Sequence, residues 1–300
     1  MDIDEIRTFV TIAELGGFTR AAEKLHRSQP AISRRIKLLE EELRAPLLER
    51  VRGGVQLTEA GRAFLPHAEA MLAAMRDGRE AVRAMLREER GTLSLALVGT
   101  LADTRIVEVL RDFARLSQGV RLELQTASSR EVSDLVRRGE VTLGLRYFPD
   151  DNPDLVSESA GTEAVRVVVS GEHRLAGRRL RNARELHGEA WVGFPVARAE
   201  PESHGHLLQR QLAAAGLMEA QITPVDSLTA QKRLVEAGFG VALMPESSIR
   251  EELRLGSLAT VDVPSLRTAV PIAMIHRKRG FLSPAAKALR DLIKAESRRL

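Results

Sequence analysis

Apolar residues in the first segment of the chain recur every three or four positions, which predicts an amphipathic helix over residues 3–14. A pair of glycines ends it, and small alanines mark a second short helix over residues 18–25. A third helix is predicted over residues 29–43, because Ser28 is a good N-cap and Pro30 is tolerated in a first turn. The sequence therefore begins with three helices close together.

A hairpin and a long helix are predicted next. Gly53-Gly54 separates two short runs within residues 47–57, the pattern of a two-stranded hairpin. A helix then extends over residues 58–89, capped by Thr58, with Pro66 as a point of bending. Its inward positions alternate gaps of four and three residues: Phe64, Ala68, Met71, Met75, Gly78, Val82 and Met85. This heptad rhythm favours a two-stranded coiled coil, with packing on the helix's own domain as the alternative.

From residue 91 onward, short apolar strands alternate with helices. The predicted strands cover residues 92–98, 120–126, 143–148, 165–169, 191–194, 222–225, 241–243 and 271–275. The predicted helices cover residues 103–116, 129–138, 204–215, 228–237 and 284–298. Alternation of this kind predicts a parallel, doubly wound sheet. Because the pattern occurs twice, we expect two similar α/β lobes with a cleft between them.

Composition narrows the class of protein. The 300 residues are enough for two domains, and 44% apolar with 29% charged residues is typical of globular proteins. The absence of cysteine excludes disulfides, thiol catalysis and thiolate metal sites. No apolar run reaches membrane-helix length, and the N-terminus lacks the basic start and apolar run of a signal peptide. We therefore expect a cytoplasmic protein with no membrane partner.

Positive charge is concentrated around the third predicted helix. Between Arg20 and Lys37 there are six basic residues and one acid, although the net charge of the chain is only +4. An excess of this kind suits phosphate contact, and arginine or glutamine on a helix in the major groove can bond base edges. Glu40–Glu42 are expected to face solvent. With the basic hairpin as a wing, the pattern predicts a winged helix-turn-helix that binds DNA; a plain three-helix core is the alternative.

A ligand site is predicted in the second half of the chain. In open α/β sheets, ligands bind beyond the carboxyl ends of strands, beside helix N-termini. The positions selected are Thr100, Leu101, Ser128, Ser129, Arg146, Val196, Arg198 and Ser227. Hydroxyls, backbone donors and arginines there would suit a small anion such as a carboxylate. Helix capping is the alternative role for Ser129 and Ser227, and an ordinary surface position is the alternative for the two arginines.

Three stretches of the chain resemble one protein family. The run AAEKLHRSQPAISRRIKLLE, followed by LLERVRGGVQLTEAG, resembles the start of the LysR-type transcriptional regulators, and EAGFGVALMPES resembles their effector domain. The resemblance implies that residues 29–34 lie at the DNA-reading end of a recognition helix and that Arg50 and Arg52 are wing contacts. The predicted DNA-binding residues are Arg20, Arg27, Ser28, Gln29, Pro30, Ser33, Arg34, Lys37, Arg50 and Arg52. The chain departs from the family pattern at Gly17, Arg44, Leu48 and Gly53.

The same resemblance extends to the ligand-binding half. It implies an effector domain similar to type 2 periplasmic binding proteins, with an inducer contacted near Thr100 and Ser128. It also implies crossover strands near residues 160–162 and 266–268, and usually a tetramer.

Together these patterns predict an α+β multidomain protein. The expected domains are a winged helix-turn-helix over residues 1–58, a dimerisation linker helix over 59–90, and a two-lobed α/β effector domain over 91–300. Lobe I would comprise residues 91–161 and 268–300, and lobe II residues 162–267. The predicted function is sequence-specific transcriptional regulation modulated by a small, anionic inducer. The expected partners are double-stranded DNA, further copies of the chain as a homodimer or homotetramer, and the effector, with RNA polymerase as a candidate; no cofactor or metal is expected.

Other classes of function fit the sequence less well. His204-Gly205-His206 offers two metal ligands, but there is no cysteine to complete a site. Nucleophile-elbow, phosphate-loop and dinucleotide motifs are missing from the sequence, which argues against an enzyme. A transport solute-binding protein would need a signal peptide and would not need the first 57 residues. A purely architectural DNA binder would leave the α/β half without a role.

Overall fold

A computed structural model of the chain describes residues 1–85, 91–196 and 203–297. The chain divides into two compact units, one built mainly from the elements up to residue 85 and the other mainly from those that begin at residue 92. In the part of the chain described, no helix combines the length and the apolar character needed to cross a membrane.

The described residues of the first unit form four helices and a hairpin. The helices are α1 (Ile3–Leu15), α2 (Phe18–Lys24), α3 (Gln29–Leu43) and α4 (Glu59–Met85), and the hairpin is β1 (Leu48–Val51) with β2 (Gly54–Leu57). These elements confirm the sequence-based predictions to within one or two residues, except that the end predicted for the long helix lies outside the described residues. Phe9, Ile12, Ile32 and Leu39 form the centre of the core and are fully buried.

Helix ends in this unit follow from local chemistry. The Ser28 hydroxyl accepts a hydrogen bond from the Ala31 N–H at 3.4 Å and caps α3, as its sequence predicts. At the other end, Arg44 adopts a left-handed conformation (φ 52°) that favours glycine. Arg44 stands where the family pattern has glycine, so the backbone shape is kept although the residue differs.

The apolar seam predicted along α4 divides into two halves. Ala68 is buried in the core of the first unit, and Phe64 packs against Phe9 with ring centroids 5.4 Å apart. Near the end of the helix, Val82 and Met85 are instead 60% and 83% exposed. The first half thus follows the alternative, packing on its own domain, because its heptad positions face α1; only the second half leaves apolar residues for a partner.

The second unit is built on one large sheet. Its strands are β3 (Thr92–Val98), β4 (Arg121–Ala127), β5 (Leu143–Tyr147), β6 (Leu155–Ser170), β7 (Trp191–Gly193), β8 (Ile222–Pro224), β9 (Val241–Pro245), β10 (Leu258–Val261) and β11 (Thr268–Arg277). Its α-helices are α5 (Ile106–Leu116), α6 (Ser129–Arg137), α7 (His204–Ala214), α8 (Leu228–Glu236), α9 (Arg250–Leu255) and α10 (Pro284–Glu296). Short 3-10 helices follow β3 and β9, at Gly99–Asp103 and Ser247–Ile249.

The sheet has the order β4-β3-β5-β11-β6-β9-β7-β8, with β10 on β6. Within each half the strands are parallel: β3 pairs with β4 and β5, and β7 with β8 and β9. In the centre, β11 is antiparallel to β5 and β6, and β6 is antiparallel to β9. The predicted parallel pairing is therefore found within each half of the sheet, whereas the central pairings are antiparallel and were not predicted. Two parallel halves are joined by two long strands that run the other way, in the region where the resemblance implies crossovers.

The 16-residue strand β6 was only partly anticipated. Residues 165–169 were predicted from their apolar run, but residues 155–164 carry Ser157, Glu158, Ser159 and Glu163 and lack that signal. This half of the strand is held by its pairing with β11, from Arg277↔Leu155 to Val270↔Glu163. Such a long-range pairing leaves no periodic mark on the local sequence.

Candidate nucleic-acid interface and ligand cavity

The start of α3 forms an exposed, polar end of the first unit. Arg27, Gln29 and Arg34 are exposed, as are Ser28, Pro30 and Lys37, while Ser33 is half-buried. Within the described residues, Arg27 and Arg34 take part in no ion pair, although their neighbours do. A capped helix end of this kind, with uncommitted guanidinium groups, can present donors to base edges and phosphates.

Other basic residues of this region are bound to the protein itself. Arg35 contacts the Asp4 carboxylate at 3.1 Å, and Lys24 contacts Glu14 at 3.2 Å. Arg20 donates from its guanidinium to the Gly16 carbonyl at 3.1 Å, so one of its donors is already in use. Two adjacent arginines therefore differ: Arg34, which is in the predicted DNA-binding set, is exposed, whereas Arg35, which is not in that set, is held against α1.

The hairpin packs against the turn between α1 and α2. The Val55 N–H donates to the Gly16 carbonyl at 3.1 Å. A Cβ atom at Gly54, whose φ is +154°, would lie 2.6 Å from the same oxygen, so glycine is required there. The Arg50 guanidinium lies 5.5 Å above the Phe18 ring, and Arg52, two residues further along the chain, is exposed. The hairpin thus carries both basic residues predicted for the wing.

Glu40 connects the recognition helix to the hairpin. One carboxylate oxygen accepts hydrogen bonds from the N–H groups of Leu47, at 2.7 Å, and Leu48, at 3.2 Å. Glu41 and Glu42 are exposed, as expected, but the expectation that Glu40 also faces solvent was wrong. Its position on α3, one turn before the helix end, brings it under the first strand of the hairpin.

A cavity of about 560 Å³ lies in the second unit, at the carboxyl ends of β3, β4, β5, β7 and β9. Its lining residues are Val98, Gly99, Thr100, Ala127, Ser128, Ser129, Tyr147, Phe148, Phe194, Pro195, Ser203, His204, Gly205, Asp226, Leu228, Thr229 and Pro245. The strand-end rule thus selects the edge of the sheet at which this cavity lies, and Thr100, Ser128 and Ser129 lie in its wall. The volume is that of a site for a small organic molecule.

Arg146 does not line the cavity. It is buried, and its guanidinium donates to the Ser133 hydroxyl at 2.8 Å and forms an ion pair with Asp150. The next residue, Tyr147, faces the cavity instead, because successive side chains of a strand point to opposite faces. The arginine expected to hold an anion is therefore part of the packing of α6.

Three further predicted residues also lie outside the cavity wall. Leu101 is 1% exposed and packs near Ile293 on the other side of its 3-10 helix. Ser227 caps α8 by accepting from the Ala230 N–H at 3.4 Å, its alternative role, while its neighbours Asp226 and Leu228 line the cavity. Val196 is 40% exposed and does not line the cavity. Arg198 lies outside the described residues.

Three helices begin at the cavity. Ser128 caps α6 in a reciprocal pair: its hydroxyl accepts from the Glu131 N–H at 3.3 Å, and the Glu131 carboxylate accepts from the Ser128 N–H at 2.9 Å. Hydrogen bonds to the Glu131 carboxylate, first from the Ser128 N–H and then from the Ser128 side chain, lower the pKa of Glu131 below its ordinary value. Ser203 caps α7, and Ser227 caps α8. The cap of α6 is thus Ser128 rather than Ser129, and helix dipoles make this part of the cavity favourable for negative charge.

A chain of hydrogen bonds begins in the cavity wall and continues into the protein. Thr100 donates from its hydroxyl to the Tyr147 hydroxyl at 3.1 Å, and Tyr147 donates to a Glu163 carboxylate oxygen at 2.6 Å. The Ser247 hydroxyl donates to the other oxygen of Glu163. Burial raises the pKa of Glu163 and, together with the Glu163 charge, raises the pKa of Tyr147, which keeps the phenol protonated. Sequence reasoning missed these partners because Ser247 and Glu163 meet only in the folded sheet.

His204, the first residue of α7, lies among aromatic rings. Its ring meets Tyr147 edge to face, with centroids 4.5 Å apart and planes at 86°, and lies near Phe148 and Phe194. Its Nε2 atom is buried and has no hydrogen-bond partner among the described residues. Burial lowers the pKa of His204 to about 4, so the ring is neutral near pH 7. Across the described ranges, no group of three or more His, Cys, Asp or Glu side chains is arranged to hold a metal ion.

Two family models match the chain. The model "Bacterial regulatory helix-turn-helix protein, lysR family" matches residues 3–62, and "LysR substrate binding domain" matches residues 86–298. Among curated proteins, the RuBisCO operon transcriptional regulator of Allochromatium vinosum is 27% identical over 300 residues, covering 100% of this chain and 98% of its own length. The HTH-type transcriptional regulator TfdS of Cupriavidus pinatubonensis is 30% identical over 277 residues, covering 92% of each chain.

Solved structures agree with these matches over nearly the whole chain. The crystal structure of CbnR, a LysR family transcriptional regulator, has 25% identity and a TM-score of 0.69, covering 99% of each chain. The structure of full-length CbnR complexed with its target DNA has 26% identity and a TM-score of 0.67, covering 98% of this chain and 99% of the other.

Proposed function

The chain belongs to the LysR family of bacterial transcriptional regulators, and we propose that it reads its DNA site with the exposed start of α3 and is controlled by a small molecule held in the cavity at the strand ends. As a member of this family it is a DNA-binding regulator with an effector-binding domain, and not an enzyme. The proposal concerns which residues carry out these two tasks.

The observation that carries the DNA-binding proposal is that Arg27 and Arg34 are exposed at a capped helix end and form no ion pair with any residue that the structure describes. We assign base contacts to Gln29, Ser33 and Arg34, whose side chains project from the first turns of α3. Phosphate contacts are assigned to the surrounding polar residues, which fix the register on the duplex: Arg20, Arg27, Ser28, Lys37, Arg50 and Arg52. Pro30, which has no N–H to donate, is assigned an apolar contact with the DNA. Arg35 is left out because Asp4 holds it.

The cavity supports the second task. Its walls combine hydroxyl groups at Thr100, Ser128 and Ser129 with apolar side chains, and three helix N-termini open on it. The cavity is lined by residues from both parallel halves of the sheet, which β6 and β11 connect. A ligand that contacts both halves would therefore change their relative position. The helix N-termini support an anionic ligand, although Arg146 is not available to bind it.

The proposed organisation has domains over residues 1–58, 59–90 and 91–300, with lobe I over 91–161 and 268–300 and lobe II over 162–267. We further propose that the protein acts in the cytoplasm as a homodimer or homotetramer, since Val82 and Met85 leave an apolar surface for a second copy. A dimer would bring two recognition helices to half-sites about one DNA turn apart. RNA polymerase is a proposed further partner.

The test is fluorescence anisotropy of the purified chain with a labelled duplex from upstream of its own gene. A shuffled duplex is the control, and both are titrated over a salt series. We expect binding that persists at ~0.15 M salt and exceeds the shuffled duplex by ~10³-fold or more. Absence of binding to any DNA at low salt would contradict the assignment of the DNA surface to α3 and the hairpin.

A further inference from the structure

We propose that the effector is a monocarboxylate with an apolar body that also carries a hydrogen-bond donor, such as a hydroxyl group, and that Thr100 selects for this donor. The inference rests on the proposed function, because it takes the cavity as the effector site. It adds the donor and acceptor pattern of the ligand, which follows from the direction of the hydrogen bonds around the cavity.

The direction is fixed at the buried end of the chain of bonds. The Glu163 carboxylate accepts from two hydroxyls, Ser247 at one oxygen and Tyr147 at the other. The Tyr147 hydroxyl has a single proton and gives it to Glu163, so toward Thr100 it is an acceptor. The Thr100 hydroxyl donates its only proton to the Tyr147 oxygen. Toward a ligand in the cavity, the Thr100 oxygen can therefore act only as an acceptor.

A ligand group that contacts Thr100 must therefore donate. A ligand hydroxyl or amine can donate a hydrogen bond to the Thr100 oxygen. A carbonyl or ether oxygen at the same place has no proton to donate, so the two oxygens would repel each other. Sites of this kind discriminate strongly, because the mismatched partner leaves a polar group without a bond.

The opposite polarity is found at the start of α6. The Ser128 oxygen accepts from the Glu131 N–H, and the Ser128 hydroxyl faces the Glu131 carboxylate, so its proton is not counted as a donor for the ligand. Ser129 supplies a hydroxyl in the first turn of the same helix and lines the cavity. Donors and the helix dipole therefore favour an acceptor with negative charge, such as a carboxylate.

The described part of the remaining wall favours a ligand with a single small charge and an apolar body. Val98, Phe148, Phe194, Pro195, Leu228 and Pro245 supply apolar surface. No lysine or arginine is among the described residues that line the cavity, and Asp226 adds an acid to the wall. A phosphate ester or a polycarboxylate would place additional negative charge where no described cation offsets it.

The experiment uses matched cyclohexanecarboxylates that carry a hydroxyl, an oxo group or a methyl group at ring position 3 or 4. Binding to the full chain is measured by calorimetry and by the change in operator affinity, with cyclohexyl phosphate as the dianionic probe. We expect the hydroxyl compounds to bind at least ~10-fold more tightly than their oxo counterparts, and cyclohexyl phosphate to bind more weakly than both.

Two variants test the role of the hydrogen-bond chain. Tyr147→Phe removes the acceptor for the Thr100 proton, so Thr100 can donate to the ligand, and the oxo compounds should bind as well as the hydroxyl compounds. Thr100→Val should abolish the preference and weaken the hydroxyl compounds. Thr126→Val, on the exposed strand β4 outside the cavity, is the matched control and should keep the preference of the parent.

The proposal is overturned if the oxo compounds bind best to the parent chain, if Tyr147→Phe leaves the ratio unchanged, or if no hydroxyl compound binds up to ~10 mM. Specific operator binding in the same preparations separates these outcomes from a failure of the proposed function. A chain that binds its operator but prefers cyclohexyl phosphate remains a regulator with a different class of effector.

Discussion

The Glu40 carboxylate accepts a hydrogen bond from the Leu47 backbone N–H at 2.7 Å, and so connects the recognition helix to the wing. Leu47 is 1% exposed, so its N–H has no access to water. An acid in a run of three glutamates therefore has a structural task that its two neighbours do not share.

We expect Glu40→Ala to lower the free energy of unfolding by about 1–3 kcal/mol, because it leaves the buried Leu47 N–H without a partner. Affinity for specific and shuffled DNA should fall together, since the wing loses its anchor. Glu41→Ala is the control and should change stability by less than about 0.5 kcal/mol, because Glu41 makes only an exposed contact with Lys37 at 3.5 Å. Denaturant unfolding measures the stability of both variants. An equal loss of stability in the two would contradict the role of Glu40 in holding the hairpin.

Arg34 and Arg35 are expected to behave differently on DNA. Arg34→Ala should weaken operator binding by about 1–3 kcal/mol and relax the preferred sequence, because the exposed guanidinium reads a base. Arg35→Ala should leave the ratio of specific to shuffled binding unchanged, since Arg35 contacts Asp4. Fluorescence anisotropy measures the affinity of each variant for the specific and the shuffled duplex. An equal loss of affinity for the two duplexes in Arg34→Ala would show that Arg34 contacts phosphate rather than a base.

Substitutions in the cavity wall should abolish the response to effector without changing DNA binding. Thr100→Val and Ser128→Ala are expected to bind the operator as the parent does and to lose the response to effector. Ser128→Ala should also cost about 1 kcal/mol in stability, because it removes the cap of α6. Thermal melting and operator titration with effector measure the two effects, and an undiminished response in both variants would remove this cavity as the effector site.

His204 is expected to make the chain sensitive to acid. Its pKa falls from an ordinary 6.5 to about 4 on burial, so protonation favours the unfolded chain. The stability it contributes is full above pH 6.5 and is lost as the pH falls through about 4. His204→Phe should reduce the loss of unfolding free energy between pH 7 and pH 4 by on the order of 3 kcal/mol.

The control for this measurement is His187→Phe, at an exposed position outside the cavity, which should keep the pH dependence of the parent. Urea unfolding at several pH values gives the comparison. If His204→Phe and the parent lose stability in parallel, the ring is not buried in its neutral form.

Gly205 is required by the approach of α7 to the segment that follows β7. A Cβ atom at this position would lie 2.5 Å from the Pro195 carbonyl oxygen and 2.9 Å from that of Phe194. Gly205→Ala should therefore lower stability by about 1–3 kcal/mol and displace the start of α7. Gly78→Ala is the contrast: it has open space inside α4 and should be neutral or stabilising by up to about 1 kcal/mol. Thermal unfolding of both variants tests the difference, and a harmless Gly205→Ala would contradict the close approach.

The sequence alone determined the elements whose causes are local. The caps at Ser28 and Thr58, the apolar stripe of α3 and the glycines of the hairpin act within a few residues, so the DNA-binding unit could be predicted closely. The rule that ligands bind beyond the carboxyl ends of strands also selected Thr100 and Ser128, which line the cavity. Each follows a strand that could be predicted from its apolar residues.

Only the tertiary structure decided the features that depend on distant partners. Strand alternation turned Tyr147 into the cavity and Arg146 away from it, and the register of that strand is set by its pairing with β11. Glu163 and Ser247 form a hydrogen bond although they are 84 residues apart in the sequence. Glu163 lies in the half of β6 that has no apolar pattern, and Ser247 lies in the 3-10 helix after β9. Periodicity records which face of an element is buried, but it does not record which residue of another element completes a hydrogen bond there, and the chemistry of the cavity is built from such bonds.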